Sequence, residues 1–186
     1  MKHSRILLVL TLIFTCGPVG VAQEQEGGKN RLKHNAKITK EYDRAKDQTT
    51  LSLELVRITC VKDGCIFFNL LSSFAGTKPV VPAKRFIFGL HIFTKTLEPF
   101  ADSTLFLEAD GKPIEVGAMT FGGKVEDAPA ERLYGLVYGT VLYGEELRKI
   151  ANARKVEMRI GKLQFSLDEN AINAISDFND QATTLK

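Results

Sequence analysis

Tryptophan is absent from this 186-residue chain, and histidine and cysteine occur only three times each. Each shortage removes a class of chemistry. Without Trp, the sugar-stacking cleft that a carboxylate pair needs for glycoside hydrolysis is not expected. The three histidines form no H-x-H or H-x-x-x-H pair and no cluster with cysteine, so the sequence offers no metal centre and implies no cofactor. No G-x-S-x-G nucleophile turn occurs. Gly122-Gly123-Lys124 lacks the spacing and the following Ser/Thr of a phosphate loop. Charge of one sign is also short, with 25 basic residues against 22 acidic. That balance gives no global drive toward nucleic acid.

One apolar run stands out. Lys2 and Arg5 precede Ile6 to Phe14, Pro18 breaks the run, and Gly20-Val21-Ala22 supplies small residues. This is the order of a secretory signal peptide over residues 1–22, cleaved near Ala22–Gln23. The run is about nine residues, against ~20 for a membrane span. Lipidation at Cys16 is disfavoured, because Thr15 is a poor residue before a lipidated cysteine. No second apolar run follows, so no transmembrane helix is expected after cleavage. The expected location is periplasmic or extracellular.

Export sets the meaning of the remaining cysteines. Cys60 and Cys65 are spaced C-x4-C, not C-x-x-C, and Val61-Lys62-Asp63-Gly64 between them reads as a hairpin turn. A structural disulfide between Cys60 and Cys65 is expected.

Residues 23–48 are polar and locally basic, and read as a solvated segment. Within it, Ala36 to Lys46 fits a short helix docking through Ile38 and Tyr42. The globular domain is expected over 49–183. Leu51, Leu53 and Leu55 alternate with polar residues in a half-buried strand reaching about Thr59. Ile66, Phe68, Leu70 and Phe74 share a face of the next strand. After a loop at Gly76–Pro82, Phe86, Phe88, Leu90 and Ile92 line a strand that is apolar on its other side too, as a central strand would be. Asp110-Gly111 marks a hairpin, followed by a polar loop at Gly122–Glu131.

The run from Leu133 to Tyr143 reads as a strand, with Gly135 and Gly139 leaving room for large neighbours such as Phe. A helix follows at 145–153. Two short strands then flank Gly161-Lys162, and Asp168 caps a last helix. Ala171, Ile172, Ala174, Ile175 and Phe178 form its apolar stripe, while Asn170, Asn173 and Asp177 read as its solvated side. The sum is a mainly β (α+β) chain of about eight strands with two helices in its C-terminal half. It forms an antiparallel β-sandwich or partly open barrel.

Two stretches resemble a known group. Tyr42 to Thr50 is similar to the Y-D-x-x-K-D-x-T-T opening of a family of uncharacterised secreted bacterial proteins. Gly161, Phe165, Leu167, Ala174, Ile175, Asp177 and Phe178 resemble its G-x-x-x-F-x-L…A-(L/I)-x-D-F ending. The group has no assigned activity, and the cysteine pair is not part of the likeness.

The function expected from these readings is an exported, non-catalytic envelope or extracellular module that binds a protein or ligand through a sheet face or loop. The alternative is an enzyme using His91 or carboxylates, among which Glu145-Glu146 and Glu126-Asp127 are adjacent pairs. His34 falls in the polar segment, and His91 lies on a strand face with Phe93. No catalytic, cofactor-binding or metal-binding residue is assigned.

Overall fold

Alternating side chains build most of this molecule. In the computed structural model, residues 33–61, 64–95, 100–125 and 134–184 are described. Among them are β1 (Ile38–Asp43), β2 (Gln48–Val61), β3 (Gly64–Ala75), β4 (Arg85–Thr94), β5 (Thr104–Ala109), β6 (Lys112–Ala118), β7 (Thr120–Val125) and β8 (Tyr134–Tyr143). Then come α1 (Gly144–Ala151), β9 (Val156–Ile160), β10 (Leu163–Leu167) and α2 (Glu169–Thr183). A six-stranded sheet runs β1-β2-β3-β4-β8-β7, and a four-stranded sheet runs β10-β9-β5-β6. Every pairing is antiparallel. The chain is a β-sandwich-like α+β fold, as the patterning implies.

One apolar core joins both sheets and both helices. Leu53, Phe68, Phe86, Phe88, Leu90 and Leu142 come from the large sheet, Leu105, Met158 and Ile160 from the small one, and Leu147 and Phe178 from the helices. Each such large side chain contributes about 1.5–3 kcal/mol on burial. The Asp168 carboxylate caps α2 by accepting from Ala171 N at 2.8 Å. Ala171, Ala174, Ile175 and Phe178 are then buried, and the Phe178 ring meets Phe86 edge-on at 6.1 Å.

Turn chemistry fixes the registers. Asp110 and Gly111 both have positive φ, 50° and 77°, which is the backbone a two-residue hairpin needs. The β1–β2 turn is tied by side chains. Tyr42 Oη donates to Asp47 Oδ1 at 2.8 Å, and Asp43 Oδ1 accepts from Ala45 N at 2.9 Å. That accepted bond is the first cause of the Asp43 carboxyl lying below its ordinary value.

Four sequence expectations need correction. The 36–46 stretch is not a short helix, although Lys40 to Lys46 are exposed as a solvated segment would be. Its centre is strand β1, with Ile38 opposite Leu53 and Tyr42 opposite Thr49. Isolated helix propensity loses here to pairing with a long neighbour strand that would otherwise be an edge. Second, Leu55 does not continue the buried row of β2. A bulge between Leu53 and Val56 shifts the alternation by one, so Val56 and Ile58 are buried and Leu55 is exposed.

Third, the segment after Asp110-Gly111 holds two strands. The chain crosses from the small sheet to the large one at Met119, which exchanges hydrogen bonds with Ser103, and β7 occupies the start of the expected polar loop. Residues 126–131 of that loop lie outside the described residues, with Glu126 and Asp127 among them. Fourth, the space beside Gly139 is not filled by a Phe. A Cβ there would meet nothing within 4 Å.

Candidate functional site

Antiparallel register places residues of adjacent strands in rows across the large sheet. On its inner face these rows are the core. On its outer face Asn69 stands opposite Gly89, and Gly89 opposite Gly139. The row on one side is Phe67, His91 and Val137, and on the other it is Leu71, Ile87 and Val141. Beyond them, Cys65 pairs with Phe93 and Arg85 with Tyr143. This face is apolar over β3, β4 and β8 apart from Asn69, His91 and Arg85, and on β2 it continues with Ser52 opposite Leu71 and Arg57 opposite Phe67. Ile87, Val141 and the bulge residue Leu55 keep 54%, 43% and 50% of their surface exposed.

The small sheet provides the contrast. Its outer face carries Phe106, Glu108, Glu157, Arg159, Gln164 and Ser166, a set dominated by charge and hydrogen-bonding groups. Its one large apolar side chain, Phe106, lies 4.0 Å beneath the Arg159 guanidinium. The cation covers the ring and keeps the face wettable. An exposed apolar patch is informative where its counterpart in the same molecule is solvated in the ordinary way.

A polar pair sits at the centre of the apolar face. Gly89 lacks a side chain, and the Asn69 amide occupies that position, where a Cβ would collide with Asn69 Oδ1. From there Asn69 Oδ1 reaches His91 Nε2 at 3.1 Å. With Nε2 protonated, the ring donates to the amide and Nδ1 keeps its lone pair. Burial holds the His91 imidazole below its ordinary pKa, so the ring is neutral at neutral pH. The partner of His91 is thus an amide, which orients the ring without adding charge. At one end of the face the disulfide joins Cys60 and Cys65, which pair directly across β2 and β3 with Cα atoms 4.0 Å apart. Phe67 and Phe93 pack edge-on beside it at 5.5 Å. The turn residues Lys62 and Asp63 lie outside the described residues.

The other candidate residues fall elsewhere. Glu146 Oε2 accepts from Tyr143 N at 2.7 Å, and Glu145 pairs with Lys149 at 3.3 Å, so both carboxylates serve the start of α1. His34 is a correction. It is not in a solvated tail, since its side chain is only 8% exposed and meets Asp177 Oδ2 at 3.1 Å. Alongside it, Asn35 N donates to Asn170 Oδ1 at 2.9 Å and Asn173 Nδ2 donates to Lys33 O at 3.3 Å. The side of α2 that reads as solvated therefore holds the chain segment leading into β1. Among the described residues no group of three or more His, Cys, Asp or Glu could hold a metal ion.

Asn69 and the Gly89–Gly139 pair were not legible as a site. Period-two alternation puts Asn69 on the face of Phe67 and Leu71, but its meeting with His91 depends on the β3–β4 register. Compared with known proteins, the chain matches no family model, no curated protein and no solved structure.

Proposed function

We propose that this chain is an exported bacterial envelope or extracellular module, not a catalyst, that binds a protein partner through the outer face of its six-stranded sheet. One observation carries the binding surface: Ile87, Val141 and Leu55 stand exposed on an apolar sheet face, while the small sheet presents charge. Contiguous exposed apolar patches are a mark of interaction sites. Export is supported by the charged start, apolar run and small residues of positions 1–22, and by a disulfide, which persists in oxidising compartments. No helix among the described residues is long and apolar enough to cross a membrane. A neutral His91 held by an amide suits a desolvated contact surface, where a charge would be costly.

The test places a photo-crosslinking residue at Ile87 or Val141, and as controls at Phe106 or Glu108, in cells that make the protein. Adducts from the first pair alone, on protein starting near Gln23 outside the cytoplasm, are the expected result. Equal adducts from both faces, or intact Met1 in the cytoplasmic fraction, would overturn the reading.

A further inference from the structure

The loop between β3 and β4, residues 76–84, is held at both stems and apolar at its tip. At the first stem Gly76 N donates to Asp47 O at 2.8 Å, Thr49 Oγ1 donates to Gly76 O at 2.5 Å, and Lys40 Nζ donates to Thr77 O at 2.6 Å. At the second, Ala83 N donates to Ala182 O at 3.2 Å, and Lys84 O accepts from Gly144 N at 3.0 Å. The loop is thus bonded to the β1–β2 turn, the start of α1 and the end of α2. Pro79 and Pro82 fix the backbone on either side of the tip. Between them Val80 and Val81 are 83% and 67% exposed, more than any other large apolar side chain among the described residues. A single exposed valine is ordinary surface. Two adjacent ones, on a tip braced at both stems, are held out in water.

Cations flank this tip. Lys78, Lys84 and Arg85 adjoin it in the chain, and the bonded β1–β2 turn adds Arg44. None of the four forms an ion pair among the described residues. Most acids of the same end are engaged: Asp43 with Lys46, Asp47 with Tyr42, Glu145 with Lys149, and Glu146 with Tyr143 N. Glu41 on β1 and Asp180 in the last turn of α2 remain against those four cations, which leaves an excess of positive charge. The exposed ring of Tyr143 lies 6.0 Å from the Arg85 guanidinium.

We propose that this loop docks on the surface of an anionic phospholipid bilayer, with Val80 and Val81 dipping below the headgroups and Arg44, Lys78, Lys84 and Arg85 on the lipid phosphates. Tyr143 then sits at headgroup level, where an amphipathic ring is favoured. Charge complementarity selects anionic lipid. The size and shape of the tip select a bilayer over a protein. Two valines cover far less than the ~1,000 Å² of a specific protein interface, and they protrude. A bilayer accepts a small protruding apolar tip and supplies the remaining affinity through charge. Each basic side chain near an anionic leaflet strengthens binding about fivefold. Lipid docking at this loop stands apart from the protein contact at Ile87 and Val141.

Flotation of the purified exported protein with vesicles tests it. Binding is expected to mixed phosphatidylglycerol–phosphatidylcholine vesicles, not to phosphatidylcholine alone, and to fail in about 1 M salt, where the Debye length is about 3 Å. Val80→Asp with Val81→Asp should weaken binding more than about tenfold, as should Lys78→Glu with Lys84→Glu. All four side chains are exposed, so the melting temperature should hold. The chain contains no Trp, so Val80→Trp supplies a single indole whose emission reports depth. That emission should shift to the blue on the anionic vesicles, while a control indole from Phe106→Trp should not shift. Absence of binding to anionic vesicles would overturn the proposal. Binding indifferent to both double substitutions would do the same, since it would place the contact on another basic stretch. Photo-crosslinks in cells from Val81 to a protein, with none to lipid, would also overturn it.

Discussion

His34 Nε2 lies 3.1 Å from Asp177 Oδ2, joining the chain just before β1 to the outer side of the C-terminal helix. The two residues are 143 positions apart, and the contact closes the fold end to end. Their pairing is reinforced by Asn35 on Asn170 and by Asn173 on Lys33. Removing one buried partner leaves the other short of its hydrogen bond. His34→Ala should therefore destabilise by about 1–3 kcal/mol in urea unfolding. Proteolysis between Lys33 and Lys37 should accelerate with it. An unchanged midpoint would show that the segment lies on α2 without anchoring it.

Phe178 is fully buried and packs edge-on against Phe86. Phe178→Ala should cost about 3–5 kcal/mol, a large share of the ~5–15 kcal/mol of a typical domain. Thermal unfolding of the variant checks this. A melting shift below a degree or two would contradict the packing.

Ser72 points into the core from β3, opposite Leu51, and its hydroxyl has no hydrogen-bond partner among the described residues. Burial of an unpaired hydroxyl is unfavourable, so Ser72→Ala should be neutral or stabilising, by up to about 1 kcal/mol. A clear loss of stability would mean that the hydroxyl is bonded in solution.

His91 carries a pH signature. Burial lowers its pKa in the folded chain, so in the unfolded chain the ring takes up its proton at a higher pH. The contribution is fully present above the ordinary histidine value and is lost as pH falls from there through the lower folded pKa. Stability measured at falling pH should decline in that window, and His91→Phe should flatten the decline. An NMR titration that finds His91 at or above the ordinary value would contradict the assignment of burial as the cause.

These contacts show how far the sequence could be read. Elements with strong local signals were legible: the Asp110-Gly111 turn, the Cys60–Cys65 hairpin, the Asp168 cap, and the period-two rows of β3 and β4. Each depends on neighbours a few residues away. What was not legible depends on register or on distant partners. The role of Leu55 is set by a bulge whose cause lies in pairing with β3. His34 and Asp177 each look solvated until the fold joins them. β1 has a polar sequence because four of its six residues are exposed, so composition pointed to a tail. The motif from Tyr42 to Thr50 has a physical account in the structure: Tyr42, Asp43 and Asp47 tie the turn, and Thr49 Oγ1 donates to Gly76 O at 2.5 Å. The candidate site was half legible. His91 could be singled out, whereas Asn69 and the paired glycines required the β3–β4–β8 alignment.

The central claim is that the outer face of the six-stranded sheet is covered when the protein works, and that the small sheet's face is not. Hydroxyl-radical labelling read by mass spectrometry tests this most directly, comparing protein in the cells that make it with dilute purified protein. The account predicts strong protection of Phe67, Ile87 and Val141 in cells, with Phe106 labelled equally in both states. Equal labelling of Ile87 and Val141 in the two states would contradict it.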